Sequence, residues 1–327
     1  MVSLLQNKGK KVVKEAVVLL NMGGPNNLEE VEVFLKNMFA DKNILTMKSN
    51  LLRKLVGGMI VFSRTESAQE VYKKLGGKSP IVGHTKKLVE KLQQKVKDDV
   101  LVEFAMRYTP PFATEVIEKL NKYQLSKIYL IPLYPQYSTT TTKSSLQDFR
   151  ESYKKMGGSA KLIEVESFFE NETYNQNIIQ NIKNAVGFDE YKEFDLIFSA
   201  HGLPQKIIDN GDVYEKHIKK HIDILNSMMQ QKGMLFHQVH LAYQSKVGRM
   251  KWLEPSLEEK LKSIKNKKVI IFPIAFTIDN SETDFELAIE YKEIAEEFGF
   301  EEYRVCKCPN DDKLFVEALY EIYSSMK

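Results

Sequence analysis

Hydrophobic residues gather in eight short runs along this chain, and the segments between the runs have helical periodicity. Most of the runs are continuously apolar, which is typical of parallel strands that are covered on both faces. The runs are AVVLLN (16–21), LVEFAM (101–106), IYLIPL (128–133), LIEVES (162–167), DLIFSA (195–200), VHLAYQ (239–244), VIIFPIAF (269–276) and YRVCKC (303–308). In one intervening segment Leu28, Val31, Leu35 and Met38 share a helical face, and Asn27 is placed to cap it. This alternation predicts a parallel α/β fold.

The two halves of the chain carry the same pattern, which indicates an internal repeat. The alignment pairs AVVLLNMGGP (16–25) with DLIFSAHGLP (195–204) at an offset of 179 residues, FAMRY (104–108) with LAYQS (241–245) at 137, and IYLIPLYPQYSTTTTKSSL (128–146) with VIIFPIAFTIDNSETDFEL (269–287) at 141. Met22 is then equivalent to His201, and Pro132 to Pro273. We therefore predict two similar Rossmann-like α/β domains, each with a parallel sheet flanked by helices. The predicted extents are 15–170 and 171–309, followed by a C-terminal helix over 310–327.

The first half is longer than the second between its first two strands. The fall in offset from 179 to 137 means about 42 extra residues, which must lie within residues 26–100. They include LLRKLVGGMIVFSR (51–64), an apolar stretch with scattered cations. A long insertion near the ligand-binding edge of a sheet is more often functional than idle. We expect residues 51–62 to form a mobile apolar lip that meets a membrane surface, with a helix packed on the first domain as the alternative.

Composition narrows the class of protein. The 327 residues are 43% hydrophobic and 28% charged, the balance of a soluble globular protein, and a net charge of +3 is too small for a nucleic-acid-binding surface. Cys306 and Cys308 are too few for a disulfide scaffold or a four-cysteine iron–sulfur site, which fits a reducing cytoplasm. No signal-peptide pattern and no apolar stretch of spanning length is visible. We expect a cytoplasmic protein.

Polar clusters follow the predicted strands, where ligands bind in open α/β sheets. His201 ends one strand, either as a histidine hydrogen-bonded at the rim of a core or as a base or metal ligand. Asp279 and Glu282 follow another strand, either as carboxylates that relay protons or bind a divalent ion, or as helix-capping groups. If the two domains face each other, these clusters can line one cleft.

Other motifs have competing interpretations. NMGGP (21–25) lies between a strand and a helix, but it matches no phosphate-loop pattern and is more simply a tight turn. His217 and His221 stand four residues apart on a predicted helix, which suits either a metal site or a solvated face. His237 and His240 flank a strand and are expected to be structural.

Taken together, these segments resemble the ferrochelatase family, in its bacterial type, over nearly the whole chain. The matching segments are LLNMGGP, GGKSPI, AMRYTPP, YPQYSTTTT, FSAHGLP, YQSKVGRMKWLEPS and AFTIDNSET, in the family's order. The resemblance implies a class II chelatase-like fold. It also implies insertion of Fe²⁺ into protoporphyrin IX to form protohaem, with release of two protons. Fe²⁺ and the porphyrin are then substrates, and no tightly bound cofactor or iron–sulfur cluster is expected.

The resemblance also implies the site residues. His201 and Glu282 match the family's catalytic and metal-binding pair, which we expect on one face of the porphyrin with Met22 on the other. The residues that match porphyrin-binding positions are Met22, Arg64, Arg107, Tyr108, Tyr137, Trp252 and Phe276. Arg64 belongs to the lip, which is apolar in related enzymes and can meet a membrane. The partners implied are a porphyrin, Fe²⁺ and a peripheral contact of residues 51–62 with the inner membrane, and no nucleic acid.

The chain departs from the family's pattern at two positions. Gly202 follows the histidine where the family often has serine, and Asn280 stands where it often has a second histidine. An amide is a weaker metal ligand than an imidazole, so metal delivery past Asn280 is in question. Two alternatives stay open. One is a related chelatase that uses coproporphyrin III or another divalent metal, and the other is a non-enzymatic carrier of porphyrin or haem.

Overall fold

The computed structural model describes residues 13–47, 49–246, 248 and 250–327. Residues 1–12, in which the sequence has no signal-peptide pattern, lie outside the described residues. So do Val247 and Arg249, which belong to the segment YQSKVGRMKWLEPS.

Within the described residues, eight strands form two parallel sheets of the same design. The first sheet has the order β2-β1-β3-β4 and the second has the order β6-β5-β7-β8. The first four strands are β1 Glu15–Asn21, β2 Val100–Met106, β3 Lys127–Pro132 and β4 Lys161–Glu164. The last four are β5 Asp195–His201, β6 Gln238–Gln244, β7 Lys268–Phe272 and β8 Glu302–Val305. The predicted fold of two similar α/β domains is confirmed.

The strand registers match the offsets of the internal repeat. Leu19 pairs with Phe104 of β2 and with Ile131 of β3. Phe198, 179 residues after Leu19, pairs with Leu241 and Phe272, which are the residues that offsets of 137 and 141 place there. The repeat therefore extends to the hydrogen-bonding partner of each central-strand residue. It follows that Met22 and His201 leave their sheets at the same position.

Some predicted strands end earlier than expected. The run 269–276 forms a strand only as far as Phe272, because Pro273 has no N–H to continue the ladder. In the first half the equivalent Pro132 is the last residue of its strand. The edge strands β4 and β8 have four residues each, shorter than the six-residue runs from which they were predicted.

Helices cover the faces of both sheets. The α-helices are α1 Glu30–Ala40, α2 Asn50–Lys74, α3 Ile81–Lys95, α4 Ala113–Leu120, α5 Ser144–Lys155, α6 Glu172–Val186, α7 Gln205–Asp209, α8 Tyr214–Gln231, α9 Leu257–Ser263, α10 Tyr291–Glu297 and α11 Lys313–Ser325. Two π-helices follow equivalent strands: π1 Thr139–Lys143 after β3 and π2 Glu282–Glu290 after β7. A short 3₁₀ turn lies at Tyr191–Glu193.

One hydrophobic cluster extends across both domains. It joins residues of β1 and β3 to residues of β5 and β7, with α6, α8 and α11 packed around it. The C-terminal helix α11 contacts α3 and α6, and the Tyr323 ring lies 5.0 Å from the ring of Tyr129 in the first sheet. The two domains are therefore joined by a shared core, which keeps their strand ends in a fixed relation.

The insertion of the first half forms α1 and α2, which pack on each other. The Asn27 side chain accepts a hydrogen bond from the Glu30 N–H, as the predicted cap requires. Gly57 and Val61 of α2 face inward, and a Cβ on Gly57 would lie 3.1 Å from the carbonyl oxygen of Phe39. Residues 51–62 are thus helical and packed on α1, as the alternative expectation had it.

The outer face of α2 is apolar. We call this set of exposed side chains the apolar stripe: Leu51, Leu52, Leu55, Met59 and Phe62. Phe62 is 91% exposed and Leu51 is 71% exposed. None of the helices that the structure describes has the length and apolar character needed to span a bilayer.

Candidate active site

His201 is the last residue of β5, and its ring is fixed by the residue that follows. The Nδ1 atom lies 2.7 Å from the carbonyl oxygen of Gly202, which can only accept, so Nδ1 carries the proton. The Nε2 atom is then directed to Glu282, and the side chain is 35% exposed. His201 therefore presents one ring nitrogen at the strand end, as a base or ligand must.

Gly202 allows the close packing that holds this strand end. Its N–H donates to the carbonyl oxygen of Gln244 at 2.8 Å. A Cβ at this position would lie 2.7 Å from that same oxygen and 3.3 Å from the Trp252 ring. A serine at residue 202, as the family often has, would therefore require a shift of the backbone here.

Glu282 opens π2 and reaches His201. Its Oε1 atom lies 3.3 Å from the Nε2 of His201, and its side chain is 24% exposed. Its backbone N–H donates to Oδ1 of Asn280 at 2.7 Å, and Asn280 in turn donates to the carbonyl of Ile278. Asn280 thus holds the start of π2 and is itself buried. His201 and Glu282 lie on the same side of the cleft, as expected.

A second carboxylate, Glu286, lies one turn along π2. It accepts hydrogen bonds from Ser245 at 2.6 Å and from the amide of Gln244 at 3.2 Å. Burial and the neighbouring carboxylate of Glu282 raise the pKa of Glu286. Burial lowers the pKa of His201, but the negative charges of Glu282 and Glu286 outweigh it and raise the value to about 9. The site therefore favours positive charge.

Aromatic rings flank the imidazole. The Phe276 ring stands edge-on to His201, with 6.4 Å between the ring centroids. Trp252 is held beside Gly202 by an antiparallel bridge with Pro204. The structure thus brings together four of the predicted residues, His201, Glu282, Trp252 and Phe276.

Arg107 and Tyr108 lie at the end of β2 and face an acidic partner that the sequence did not indicate. Asp41 has a side chain that is only 1% exposed. It accepts from Arg107 at 3.1 Å and from the Tyr108 hydroxyl at 3.0 Å, and Ser144 also donates to it. Burial raises the pKa of Asp41, but these hydrogen bonds and the Arg107 charge together hold it below its usual value. Tyr108 is itself buried.

Arg107 has further polar partners besides Asp41. Its Nε donates to Ser144 at 3.0 Å, and its Nη1 lies 3.4 Å from Asp148. Arg64 is different, because its half-buried guanidinium on α2 has no ion pair within the ranges that the structure describes. Of the two predicted arginines, Arg64 is the one available to an incoming carboxylate.

Met22 lies where the loops of the first domain meet. Its side chain is partly buried and packs against the shared core and against the cluster formed with α1 and α2. Gly23 has φ 86°, and a Cβ there would lie 2.4 Å from Oγ1 of Thr109. The N–H of Gly24 donates to the same Oγ1. NMGGP is therefore a tight turn packed on its neighbours, as its simpler interpretation holds.

Tyr72 of α2 contacts the segment that carries Glu282. Its hydroxyl lies 3.2 Å from the Ser281 hydroxyl, next to Glu282. Lys74, two residues on, lies over the Phe285 ring at 5.3 Å. The insertion of the first domain therefore contacts the start of π2 in the second.

The histidines of α8 are structural. His221 is fully buried, with Nδ1 2.8 Å from Gln136 and Nε2 2.7 Å from Asn175. Burial lowers the pKa of His221 to about 3, so the ring is neutral. The Nδ1 of His217 accepts from the backbone N–H of Tyr137. The solvated face considered for this pair is wrong for His221, whereas His217 is half-buried, and neither nitrogen of His221 is open to a metal.

The other candidate groups also have structural partners. Asp279 is buried and accepts from the Cys308 N–H and from Asn310, so it holds the loop after β8. The paired carboxylates Asp279 and Glu282 therefore serve different purposes. His237 and His240 bind the two oxygens of Asp195 at the opposite end of the second sheet.

Three residues of the site had no place in the sequence interpretation. Asp41 and Tyr72 belong to the insertion, which has no counterpart in the second half and so no repeat to align. Glu286 follows Glu282 by four residues, and this spacing was a signal that could have found it. Among the described residues, no three His, Cys, Asp or Glu side chains are grouped so as to hold a metal ion.

Comparisons with known proteins give one family. The family model described as Ferrochelatase matches residues 14–327. A ferrochelatase from Sulfurimonas denitrificans is 67% identical over 314 residues, which cover 96% of this chain and 99% of that protein. A ferrochelatase from Nitratiruptor sp. is 53% identical and covers 95% of this chain and 100% of that protein. A ferrochelatase from Wolinella succinogenes is 48% identical, with coverages of 95% and 98%.

Similar solved structures are chelatases at low sequence identity. SirB from Bacillus subtilis with Fe³⁺ superposes with a TM-score of 0.57 at 11% identity, covering 96% of each chain. CbiX, described as the terminal enzyme of sirohaem biosynthesis in denitrifying bacteria, has a TM-score of 0.52 at 10% identity and covers 96% of this chain and 100% of its own. At such identities the likeness concerns the fold alone.

Proposed function

Because this chain belongs to the ferrochelatase family, we propose that it inserts Fe²⁺ into protoporphyrin IX in the cleft beside His201. The reaction releases two protons and forms protohaem. The observation that carries the assignment of residues is the 3.3 Å contact between His201 Nε2, at the end of β5, and Glu282 Oε1, at the start of π2. Fe²⁺ is a substrate here, and the proposed reaction needs no tightly bound cofactor.

His201 is the group that accepts a pyrrole proton. The hydrogen bond from its Nδ1 to Gly202 leaves Nε2 as the atom that exchanges protons with the porphyrin. Before the substrates bind, the carboxylates of Glu282 and Glu286 keep the imidazole protonated, since they raise its pKa to about 9. A base with a raised pKa is a strong proton acceptor once it has been deprotonated.

Glu282 and Glu286 attract the incoming cation. Two carboxylates within one turn of π2 give the cleft a negative potential, which favours a divalent ion. The arrival of Fe²⁺ at Glu282 neutralises the charge that holds the His201 proton, so the partly exposed imidazole releases this proton to solvent and becomes a base. Metal entry and deprotonation of the porphyrin are thereby coupled. Carboxylate and imidazole are both ligands that Fe²⁺ can leave, as insertion requires.

Apolar side chains and the guanidinium of Arg64 hold the porphyrin. Trp252 and Phe276 stand beside His201, and Met22 supplies the wall at the equivalent strand end of the first domain. Arg64 is the propionate partner, because its guanidinium is unpaired among the described side chains. Tyr137, in the segment between β3 and π1, is the remaining proposed contact from the first domain. A cleft that fits a bent macrocycle lowers the barrier, because the metal needs lone pairs directed out of the ring plane.

Arg107 and Tyr108 support the shape of the site together with Asp41. The three side chains form one buried network with Ser144, which leads into α5 directly after π1. Arg107 is held by an ion pair with Asp41, whereas Arg64 has no ion pair among the described residues. We therefore propose that the pair shapes the porphyrin cleft and that Arg64 supplies the charge.

Steady turnover is the experiment that tests this function. The enzyme is mixed with Fe²⁺ and protoporphyrin IX under anaerobic conditions, and haem formation is followed by absorbance. Haem in large excess over protein supports the enzyme, whereas one equivalent or less supports the porphyrin carrier. Coproporphyrin III and Co²⁺ in parallel reactions test the related chelatases, and a higher kcat/KM with either would replace the proposed substrate.

The apolar stripe of α2 is the proposed contact with the inner membrane. Its exposed side chains lie beside Arg53 and Lys54, which suits a surface of anionic headgroups, and α2 reaches the site through Tyr72. The test is the double substitution Leu55→Glu with Phe62→Glu. We expect it to weaken sedimentation with phosphatidylglycerol vesicles and uptake of vesicle-bound porphyrin.

The matched control is Val33→Glu on α1, another exposed apolar residue, outside the stripe. It should leave both measurements unchanged. If the stripe variant binds vesicles and takes up porphyrin as the parent does, the membrane contact is wrong while the chelatase activity stands.

A further inference from the structure

Tyr214 holds the backbone of His201. This tyrosine begins α8 and is buried, and its hydroxyl donates to the carbonyl oxygen of His201 at 3.0 Å. The contact crosses from α8 to the end of β5, so it fixes the strand where the imidazole leaves it. No sequence motif used above contains Tyr214.

The internal repeat shows that this support is peculiar to the second domain. In the first domain the carbonyl of Met22, the equivalent of His201, accepts from the backbone N–H of Tyr108 at 3.0 Å. The equivalent of Tyr108 is Ser245, which has φ 64° and directs its side chain to Glu286. At His201 a side-chain phenol therefore takes the place of a backbone donor.

Asp212 connects Tyr214 to the other domain. Its Oδ1 accepts from the Tyr214 N–H at 2.9 Å. Its Oδ2 accepts from the Thr139 N–H at 2.7 Å, from the Thr139 hydroxyl at 2.6 Å and from the Ser138 hydroxyl at 3.0 Å. Ser138 and Thr139 form the start of π1. A single carboxylate thus joins the first domain's π-helix to the helix that holds His201.

This carboxylate is buried without a cation. Asp212 is 7% exposed, and no lysine or arginine pairs with it among the residues that the structure describes. Burying a carboxylate costs free energy unless hydrogen bonds satisfy it, and here four donors do so. A neutral side chain could not accept all four. Hydrogen bonds, rather than an ion pair, therefore satisfy this carboxyl group between the domains.

We propose that Asp212 and Tyr214 are positioning residues for the metal-insertion step, which fix the His201 imidazole relative to the first domain. The inference rests on the proposed role of His201. Misplacing a reacting group by about 1 Å can cost on the order of 10²-fold in rate, so a backbone anchor next to the base affects the chemical step directly. Porphyrin binding depends on other walls of the cleft and should not need this anchor.

The substitution Tyr214→Phe tests the anchor, because it removes one hydroxyl and keeps the ring. We expect kcat to fall about tenfold, part of the loss that misplacement can cause, with KM for porphyrin within twofold of the parent.

Tyr243→Phe is the matched control. Tyr243 is buried on the neighbouring strand, and its hydroxyl has no hydrogen-bond partner in the described part of the chain. This variant should keep the parent kcat. Equal kcat in the two variants, or a Tyr214→Phe effect confined to KM or to thermal stability, would overturn the proposal.

Asp212→Asn tests the link between the domains. If Asp212 acts through Tyr214, the double variant Asp212→Asn with Tyr214→Phe should have a kcat little below that of Asp212→Asn alone. Both changes then remove the same support of His201. If the fold-losses in kcat of the two single variants multiply in the double variant, the two residues act independently, and the proposal is wrong. Should Asp212→Asn fail to fold, Tyr214→Phe still decides. The activity of His201→Ala tests the proposed function. A Tyr214→Phe variant with the parent kcat would overturn only the positioning role and leave the proposed function standing.

Discussion

The two domains place different chemistry at equivalent positions of one scaffold. Met22 directly follows the central strand of the first domain, and the equivalent residue of the second domain is His201, the last of its strand. Where π1 carries Thr141, the same offset of 141 residues brings Glu282 in π2. The backbone registers of the two sheets match, so these different side chains stand at equivalent positions.

The charged groups of the two domains are also used differently. In the first domain, Arg107 pairs with Asp41, whose side chain is 1% exposed and also accepts from Tyr108 and Ser144. In the second, His201 and Glu282 are each about a quarter to a third exposed at the cleft. A charge that is satisfied internally supports structure, and one that is open to the cleft can act on a substrate. The comparison therefore assigns shaping to the first domain and reaction to the second.

The largest expected effect comes from removing the imidazole. His201→Ala should lower kcat by about 10²–10⁴-fold, as the loss of an acid–base group does, while porphyrin still binds. Met22→Ala, at the equivalent position, should change kcat only a few-fold, since it removes a wall and no reacting group. Haem formation and quenching of protein fluorescence by porphyrin measure the two properties. Equal losses in the two variants would remove the distinction between the domains.

Next comes the carboxylate at the start of π2. Glu282→Gln should lower kcat by about 10²-fold, because it removes charge that steers Fe²⁺ and leaves the imidazole in place. Thr141→Val, the equivalent change in π1, should leave kcat within a few-fold. Initial rates over a range of Fe²⁺ concentrations check this. A Glu282→Gln enzyme at full rate would contradict the assigned role.

For the free energy of unfolding, the first domain's carboxylate Asp41 should matter more than the second domain's Glu282. Asp41→Asn leaves Arg107 and two hydroxyl donors facing a weaker acceptor, and should lower the free energy of unfolding by about 2–3 kcal/mol. Glu282→Gln should change it by less than about 1 kcal/mol, because that side chain is partly exposed. Urea unfolding curves of the two variants give the comparison. A larger loss in Glu282→Gln would show that the second pair is structural.

The smallest expected effect is a shift in pH dependence. His201 must be neutral to accept a proton, and its pKa of about 9 in the free enzyme makes kcat/KM rise with pH up to that value. Glu282→Gln removes a charge that raises this pKa, so the rising limb should move to lower pH, toward the ordinary value of 6.5. Histidine NMR titration reports the same shift directly. If the rising limb of the kcat/KM profile stays near pH 9 in Glu282→Gln, the Glu282 charge does not set the pKa of His201.

The sign of the linked stability follows from the same raised pKa. The ion pair of protonated His201 with Glu282 contributes fully to folding below about pH 6.5, and the contribution is lost as pH rises through about 9.

Much of the scaffold could be predicted from the sequence, because its information is local and repeated. Continuous apolar runs identified the strands, and the internal repeat gave offsets that the registers confirm. The pairing of His201 with Glu282 followed from their positions after two strands of one half. The family resemblance then supplied the chemistry, which the comparisons bear out at the level of activity.

The remaining features depend on contacts between residues far apart in sequence, which no sequence pattern predicts. Asp41 meets Arg107 from 66 residues away in sequence and lies in the unrepeated insertion. His221 is buried because Gln136 and Asn175 satisfy both ring nitrogens, which the surrounding lysines in the sequence concealed. The π-helices insert one extra residue per turn, and binary patterning does not encode this.

The most direct test of the reacting pair is a double-mutant cycle on kcat with His201→Ala and Glu282→Gln. Two groups that act as a unit in one step lose nearly as much singly as together, so the double variant should fall no more than about tenfold below His201→Ala. Losses that multiply, or either single variant at the parent rate, would contradict the claim that this pair in the second domain carries out metal insertion.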